Sequence, residues 1–517
     1  MPSAIHIAMQ EQRATAKKVQ AIPYAQEVDS ILNDILYGNH YTTVDDIATI
    51  KSGVRKLNRT QRMRFKKILK KRQSQYSYAH FIPASGSGSR LFKRLVAFAQ
   101  NFDPQEESFS MYVNKTGAYN LNDFFRHLKK LPFYEELQSD ILKINLSNTS
   151  LDEKKHAIAR LIVSDDRISL CNLPKALVPI HNYGSHSKTA FEEQMDCFNL
   201  TGSKFQSSHI HFTVSPSHLS SFAAALDKSR NSNQTAGKVT FSIQDSDSDV
   251  YCLKDGKQLL LNEHGRPIKR PSGHGALIKN LDTVSEDIVQ ISNIDNIACN
   301  DHHKNYSNSR KVLTGYLLFC VKRIKYFLEL LERDELEGKR KKQLSKFLKK
   351  YFHLNLKAIL EESNEGFHST VYHLLNAPIR IAGVVVNDGK PGGAPYWSKN
   401  SRGITSLQIV EKAEINKKIP YQKQLLKNST HFNPVDMVIF NKDYRGNKFN
   451  LEEYAVKEPS MVVRKTQGVD KIQYLERTGL WNGGMRNFLT MFIQIDSKTF
   501  NPVKEITDVL SKYHTAG

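Results

Sequence analysis

Between residues 76 and 300, short β-branched or aromatic runs are separated by stretches whose apolar residues recur every three or four positions. Tyr78–Ile82, His209–Val214, Lys238–Ile243 and Asp287–Ile294 predict strands, and Leu121–Leu142, Leu151–Ile162 and Lys188–Phe198 predict helices. This rhythm predicts an α/β fold with a mostly parallel central sheet and helices on both faces. Ahead of it, residues 1–75 read as a polar, helical N-terminal extension. Residues 301–375 are helical in pattern nearly throughout and predict an inserted helical subdomain. Strand character returns at Arg380–Val386, Ser406–Val410 and Met437–Phe440, with the Gly/Pro-rich loop DGKPGGAPYW after the first of these. The chain closes on NFLTMFIQI, read as strand, and NPVKEITDVLSKY, read as helix. Residues 376–517 are therefore expected to complete the core begun at 76–300.

A length of 517 residues allows two or three domains, and 39% hydrophobic with 24% charged residues describes an ordinary globular protein. A membrane-spanning helix needs roughly 18 apolar residues in a row. The longest candidate, Val312–Val321, is shorter and is flanked by Arg310, Lys311, Lys322 and Arg323. The first residues lack the apolar core of a secretory signal, so a cytoplasmic location is expected. Cys171, Cys197, Cys252, Cys299 and Cys320 are scattered, without a C-x-x-C pair, and predict buried thiols rather than disulfides or a zinc knuckle. His302 and His303 predict a surface loop in preference to a metal site, because adjacent side chains do not converge.

The net charge of +22 changes the picture, since it favours acidic partners: nucleotides, sugar phosphates, nucleic acid or an anionic surface. Two basic runs, Lys51–Arg72 and Lys322–Lys350, carry Leu, Ile and Phe at helical spacing, which predicts solvated faces of amphipathic helices. No helix-turn-helix, zinc-finger or aromatic RNA-binding signature accompanies them.

In open α/β sheets ligands bind beyond the carboxyl ends of the strands, so the residues after each strand hold the candidate chemistry. Tyr78–Ile82 runs into PASGSGSR, where Gly86 and Gly88 allow close backbone approach to an anion and Arg90 adds charge at a helix start. The loop is neither a P-loop nor a Rossmann fingerprint. NLPKALVPIH sets Lys175 after Pro174, in a stiff stretch able to hold an ammonium toward a phosphate. In RPSGHGAL, Gly273 and Gly275 flank His274 and would let a flat base lie against the backbone. SNIDN ends a strand on Asp295, a carboxylate that can hold Mg²⁺ while substrate phosphates complete the octahedron.

These four segments, in this order, resemble the sugar-nucleotide pyrophosphorylases, especially the uridylyltransferases that act on UTP with glucose-1-phosphate or N-acetylglucosamine-1-phosphate. PASGSGSRLF, with Ser85, Gly86, Ser87, Gly88 and Ser89, is similar to their nucleotide loop, although their usual form is L-x-G-G-x-G-T-R. LPKALVPI resembles their sugar-phosphate lysine motif, and SGHGALIKNLD and ISNIDN resemble their base and metal motifs. FSIQ, with Gln244, SLQIVEKAEI, with Glu411, THFNPVD, with Asn433, and KTFNPVKEITDVL, with Lys504, are similar to further elements of the same enzymes. The chain also resembles a bacterial family, domain of unknown function 4301, from about Tyr78 to the C-terminus, with LERTGLWNGGM as a further match.

The resemblance implies a nucleotide-diphospho-sugar transferase (GT-A-like) fold and a nucleotidyltransferase that takes a nucleoside triphosphate and a sugar-1-phosphate. It implies Mg²⁺ on Asp295, Arg90 and the loop amides on the β- and γ-phosphates, and Lys175 and Lys504 on the sugar phosphate and α-phosphate. Two other readings stay open. One is a GT-A-like glycosyltransferase using a D-x-D in DSDSD, Asp245–Asp249; the other is a catalytically idle basic scaffold for nucleic acid or an anionic surface. Pro391–Trp397 reads equally as a cover for a sugar and as a rigid loop.

Overall fold

The computed structural model describes residues 32–38, 40–163, 170–202, 204–231, 238–244, 249–254, 258–270, 273–355, 363–387, 389, 392–399, 405–456, 460–467 and 470–515. Its centre is a nine-stranded sheet. Eight strands form the main path: β1 (Val54–Arg55), β2 (Ser77–Pro83), β3 (Ser207–Val214), β4 (Lys238–Ile243), β5 (Ile288–Ser292), β6 (Ile379–Val386), β7 (Asp436–Phe440) and β8 (Leu489–Gln494). They lie in the order β1-β8-β6-β7-β5-β2-β3-β4, with His431–Phe432 paired to β6 off that path. All neighbours along the path are parallel except β7, which runs antiparallel between β5 and β6. The carboxyl ends of β2, β3, β4, β5, β6 and β8 therefore share one edge.

Residues 78–82 of β2 and all of β5 are buried on both faces, as interior parallel strands require. The main helices are α1 (Arg59–Arg72), α2 (Lys93–Asn101), α3 (Leu151–Val163), α4 (Ala190–Gly202), α5 (His303–Glu332) and α6 (Gly338–Phe352). In α1 the basic run faces solvent while Phe65 and Leu69 point inward, and an Asn58–Gln61 capping box starts the helix. A Cβ on Gly315 of α5 would lie 2.1 Å from the Phe65 carbonyl oxygen, so the close α1–α5 crossing requires glycine.

Several expectations need correction. The N-terminal segment is not helical throughout: β1 belongs to the central sheet, and Asp46–Ile47 pairs with Tyr396 and Trp397. The described part of 301–375 is mainly helical, but α5 is buried on nearly every side and packs on β6 and β7, so it is part of the main core. The helix expected over Leu121–Leu142 is interrupted, because Pro132 holds Leu131 in an extended conformation. Lys188 lies in a short strand, and α4 begins only after Thr189, whose hydroxyl and Glu192 form a reciprocal cap. The second half of the Gly/Pro-rich loop is a strand, Ala394–Lys399, paired with Thr405–Val410. The C-terminal helix shrinks to a single 3-10 segment, Ile506–Leu510. A hairpin, Ser460–Gln467 with Asp470–Arg477, lies where no strand was expected.

All five cysteines are buried, and none is in a disulfide. No helix among the described residues is long and apolar enough to cross a membrane. His303 is not in a surface loop: it is buried at the start of α5, with Nε2 2.9 Å from Glu193 Oε2. His302, beside it, packs its ring against Tyr513.

Candidate active site

The loop after β2 is strapped to the segment that carries Lys175. Lys175 N donates to Gly86 O (3.0 Å), and Gly88 N donates to Leu173 O (2.9 Å). A Cβ on Gly88 would lie 2.8 Å from Leu173 O, so this glycine serves the strap, and its N–H is spent there rather than free for a phosphate. Gly86 differs: its carbonyl is held by Lys175 N, but the residue is exposed and a Cβ there would meet nothing within 4 Å. Ser87 is exposed and bridges to Pro174, while Ser89 lies within the 3-10 turn Gly88–Arg90. Arg90 is exposed, and its charge reaches Lys175.

Lys175 opens a 3-10 turn after Pro174 whose Ala176 and Leu177 are buried, which holds the backbone while the ammonium turns to Asp295. Lys175 Nζ lies 2.6 Å from Asp295 Oδ2, and Lys504 Nζ lies 2.8 Å from the same oxygen. Asp295 Oδ1 is buried and accepts no hydrogen bond from a described residue. Burial opposes ionisation of Asp295, but the two ammoniums outweigh it and hold the carboxyl at about 2. Lys175 is lowered from its ordinary value by burial, and further by Lys504 and Arg90, against the pull of Asp295.

Lys504 reaches this point because the C-terminal segment is tied down along its length. Val503 N donates to Asp295 O (3.0 Å), Asn501 N to Asn296 Oδ1 (2.9 Å) and Asn296 Nδ2 to Thr499 O (3.1 Å). Lys504 N donates to Asp508 Oδ2 (2.7 Å), and Ile506 N to Leu91 O (3.1 Å), just past Arg90. Further along, His514 Nδ1 lies 2.7 Å from His181 Nε2, whose Nδ1 donates to the fully buried Glu193 (2.8 Å). Burial works against the Glu193 charge, yet His181 and His303 keep its carboxyl near 2. The loop after β2, the Lys175 turn, the Asp295 turn and the Lys504 segment thus form one hydrogen-bonded body, although more than 400 residues separate Arg90 from Lys504.

The residues expected to face a base lie in neighbouring elements. Ser85 Oγ donates to Gln244 Oε1 (3.0 Å), and Gln244 Nε2 is buried without a partner among the described residues. Gly273, His274 and Gly275 lie in a 3-10 turn leading into Leu277–Asp282. From that helix Asn280 Nδ2 donates to Ile243 O (2.9 Å), one residue before Gln244. Residues 245–248 of DSDSD lie outside the described residues, as does Pro391.

On the other side, Asn433 N donates to Gly393 O (2.8 Å), and a Cβ on Gly393 would lie 3.6 Å from Glu411 Cγ. Phe432 packs edge-on against Phe500, with 4.6 Å between ring centres, beside the Asn501–Asn296 contact. The Asn433 amide is committed to the backbone: Nδ2 donates to Gly383 O (2.6 Å) and Oδ1 accepts from Val435 N (3.0 Å). Glu411 Oε1 accepts from Trp481 Nε1 (3.2 Å) and Asn482 Nδ2 (3.4 Å).

Sequence reasoning missed Glu414, whose Oε2 accepts from Glu411 N (2.7 Å) and Asn482 Nδ2 (3.2 Å). Burial, with the neighbouring Glu411 adding to it, pushes Glu414 up to about 8. The E-x-x-E spacing of Glu411 and Glu414 was the available signal. The roles of Asn296, Asn501 and His514 carried none, because each depends on a partner remote in the chain.

The family model described as Domain of unknown function (DUF4301) matches residues 12–515, and the chain belongs to that family. No curated protein matches it. Among solved structures, the uridine diphosphate N-acetylglucosamine pyrophosphorylase of Trypanosoma brucei is 13% identical, with a TM-score of 0.46 over 94% of this chain and 73% of that one. A mutant UDP-glucose pyrophosphorylase of Leishmania major, in complex with UDP-glucose, is 12% identical, with a TM-score of 0.42 over 99% of this chain and 79% of that one.

Proposed function

We propose that this member of the DUF4301 family is a nucleotidyltransferase that joins a nucleoside triphosphate to a sugar-1-phosphate and releases pyrophosphate. The observation that carries the reading is the Asp295 carboxylate shared by Lys175 and Lys504, with Arg90 close by, at the carboxyl edge of a mostly parallel sheet. Uridine as the base is supported by the similarity of the segment around Gly273–Gly275 to the pyrophosphorylase motif, and by the buried Gln244 Nε2, which has no partner among the described residues.

A sugar-1-phosphate oxygen is anionic at neutral pH, so its attack on the α-phosphorus needs no general base. The new bond runs from that oxygen to the α-phosphorus; the bond from the α-phosphorus to the bridging oxygen breaks, and pyrophosphate leaves with the electron pair. Catalysis then rests on alignment and on offsetting the charge of two polyanions. In this reading Lys175 and Lys504 do this. Both are ion-paired to Asp295, and incoming phosphate oxygens would compete for the same ammoniums. Arg90 and the exposed Gly86 face the β- and γ-phosphates in this reading. Asp295 Oδ1, buried and without a partner among the described residues, fits the role of a single carboxylate ligand to Mg²⁺, which would supply further neutralisation of phosphate charge.

A screen of triphosphates against sugar-1-phosphates with Mg²⁺, read as pyrophosphate release, tests the reaction. Release with at least one pair, lost in Lys175→Ala, supports it. No release from any pair, together with consumption of a ready-made nucleotide sugar, would replace it with glycosyl transfer.

A further inference from the structure

The basic run on α1 has a structural counterpart that the proposed reaction does not use. A cavity of about 220 Å³ lies between α1, the first turns of α5 and the end of β8. Arg62 and Lys66, one helical turn apart, line one wall; Asn305, Asn308 and Ser309 line the second; Gln494, Ile495 and Asp496 line the third. It opens on the same sheet edge as Asp295, but β5 and β8 are separated by β7 and β6, which sets it roughly 14 Å along the sheet at about 4.8 Å per strand.

Its chemistry is that of an anion site with hydroxyl recognition. Lys66 Nζ is fixed by Asn308 Oδ1 at 2.6 Å. Burial and the neighbouring Arg62 lower Lys66 from its ordinary value, while burial, Lys66 and Lys204 lower Lys311. Positive charge is therefore crowded here. Ser309 is only 8% exposed and lines the cavity from α5. Asp496 uses Oδ1 to accept from Lys498 N (3.0 Å) and would accept from a ligand hydroxyl while repelling a bare phosphate. The volume is below the roughly 300–1,000 Å³ of pockets that enclose drug-sized ligands, which favours a small one.

We propose that this cavity is a second binding site, for a small hydroxylated phosphate ester whose phosphate sits on Arg62 and Lys66 and whose hydroxyls meet Ser309, Asn305 and Asp496. It is independent of the reaction proposed above. The probe is glycerol 3-phosphate, and the first readout is acetylation of Lys66 in the whole protein, followed by mass spectrometry. The ester should slow Lys66 acetylation by about threefold or more at saturation, and potassium chloride of equal ionic strength should not. Titration calorimetry on Ser309→Ala and Lys66→Glu should show affinity for the ester weakened by about tenfold. Lys175→Ala should leave Lys66 protection intact. Equal protection by potassium chloride, protection by an oligonucleotide alone, or loss of protection in Lys175→Ala would overturn the proposal. If Lys66→Glu does not fold, labelling of the unmodified protein and Ser309→Ala decide the matter.

Discussion

Two buried carboxyl clusters in this molecule have opposite protonation. Asp295 is 7% exposed and Glu414 is 1% exposed, so both lose most of their hydration. Asp295 has two ammoniums on one oxygen and is held at about 2; Glu414 faces a second carboxyl, an amide and a backbone N–H and is pushed up to about 8. Arg486 acts on Glu414 from a distance without reversing the outcome. Burial alone does not decide the charge of a buried acid; the charge of its partners does. At neutral pH the first cluster is an ionic assembly that a polyanion can redistribute, and the second includes a neutral acid.

The largest break in this contrast comes from removing the shared charge. Asp295→Asn leaves Lys175 and Lys504 facing each other without a counter-ion, and turnover in the pyrophosphate-release assay should fall by about 10²-fold or more. A melting curve checks that the loss is not unfolding. The pH dependence sharpens the same point. The folded value of Asp295 lies below its ordinary one, so its contribution to stability is fully present above the ordinary value and is lost as pH falls through about 2. In Lys175→Met the folded value should move up toward the ordinary one, so the loss should be smaller and complete at a higher pH, measured by denaturant unfolding across the acid range.

A smaller effect tests the strap. Gly88→Ala pushes a Cβ into Leu173 O and should cost about 1–3 kcal/mol, whereas Gly86→Ala enters open space and should change stability by less than about 0.5 kcal/mol. Similar losses for the two, measured by denaturant unfolding, would contradict the division of labour between these glycines.

Glu414 gives the mirror image of Asp295. Its folded value is raised, so its stabilisation is complete below the ordinary carboxyl value and is lost as pH rises toward about 8. Glu414→Gln, a neutral stand-in for the protonated acid, should flatten the stability profile between pH 4.5 and 8. A slope unchanged from that of the unmodified protein would show that Glu414 is ionised.

The strands nearest the site were legible because they are short runs of β-branched, aromatic and apolar residues. Lys238–Ile243 was read with its observed bounds, and Tyr78–Ile82 lies one residue inside each end of β2. The role of Gly88 was not: its glycine suited a phosphate loop equally well, and only the proximity of Leu173 O shows that it serves a backbone crossing. Asn433 was legible as a residue in a motif, but the use of its amide by Gly383 and Val435 was not. Val54–Arg55 and Asp46–Ile47 were missed because two-residue strands carry no periodicity.

What the amino-acid sequence determined by itself is local: the α/β rhythm, the buried thiols, the excess of positive charge, and which residue types follow each strand. These depend on spacings within a dozen residues. Only the tertiary structure decided that Lys175 and Lys504, 329 positions apart in the chain, meet one oxygen of Asp295, that Glu414 keeps its proton, and that α5 is core rather than an insert. The physical reason is that hydrophobic periodicity records which face of an element is buried, whereas an ion pair or a shifted pKa depends on what lies opposite, and packing alone brings that neighbour into place.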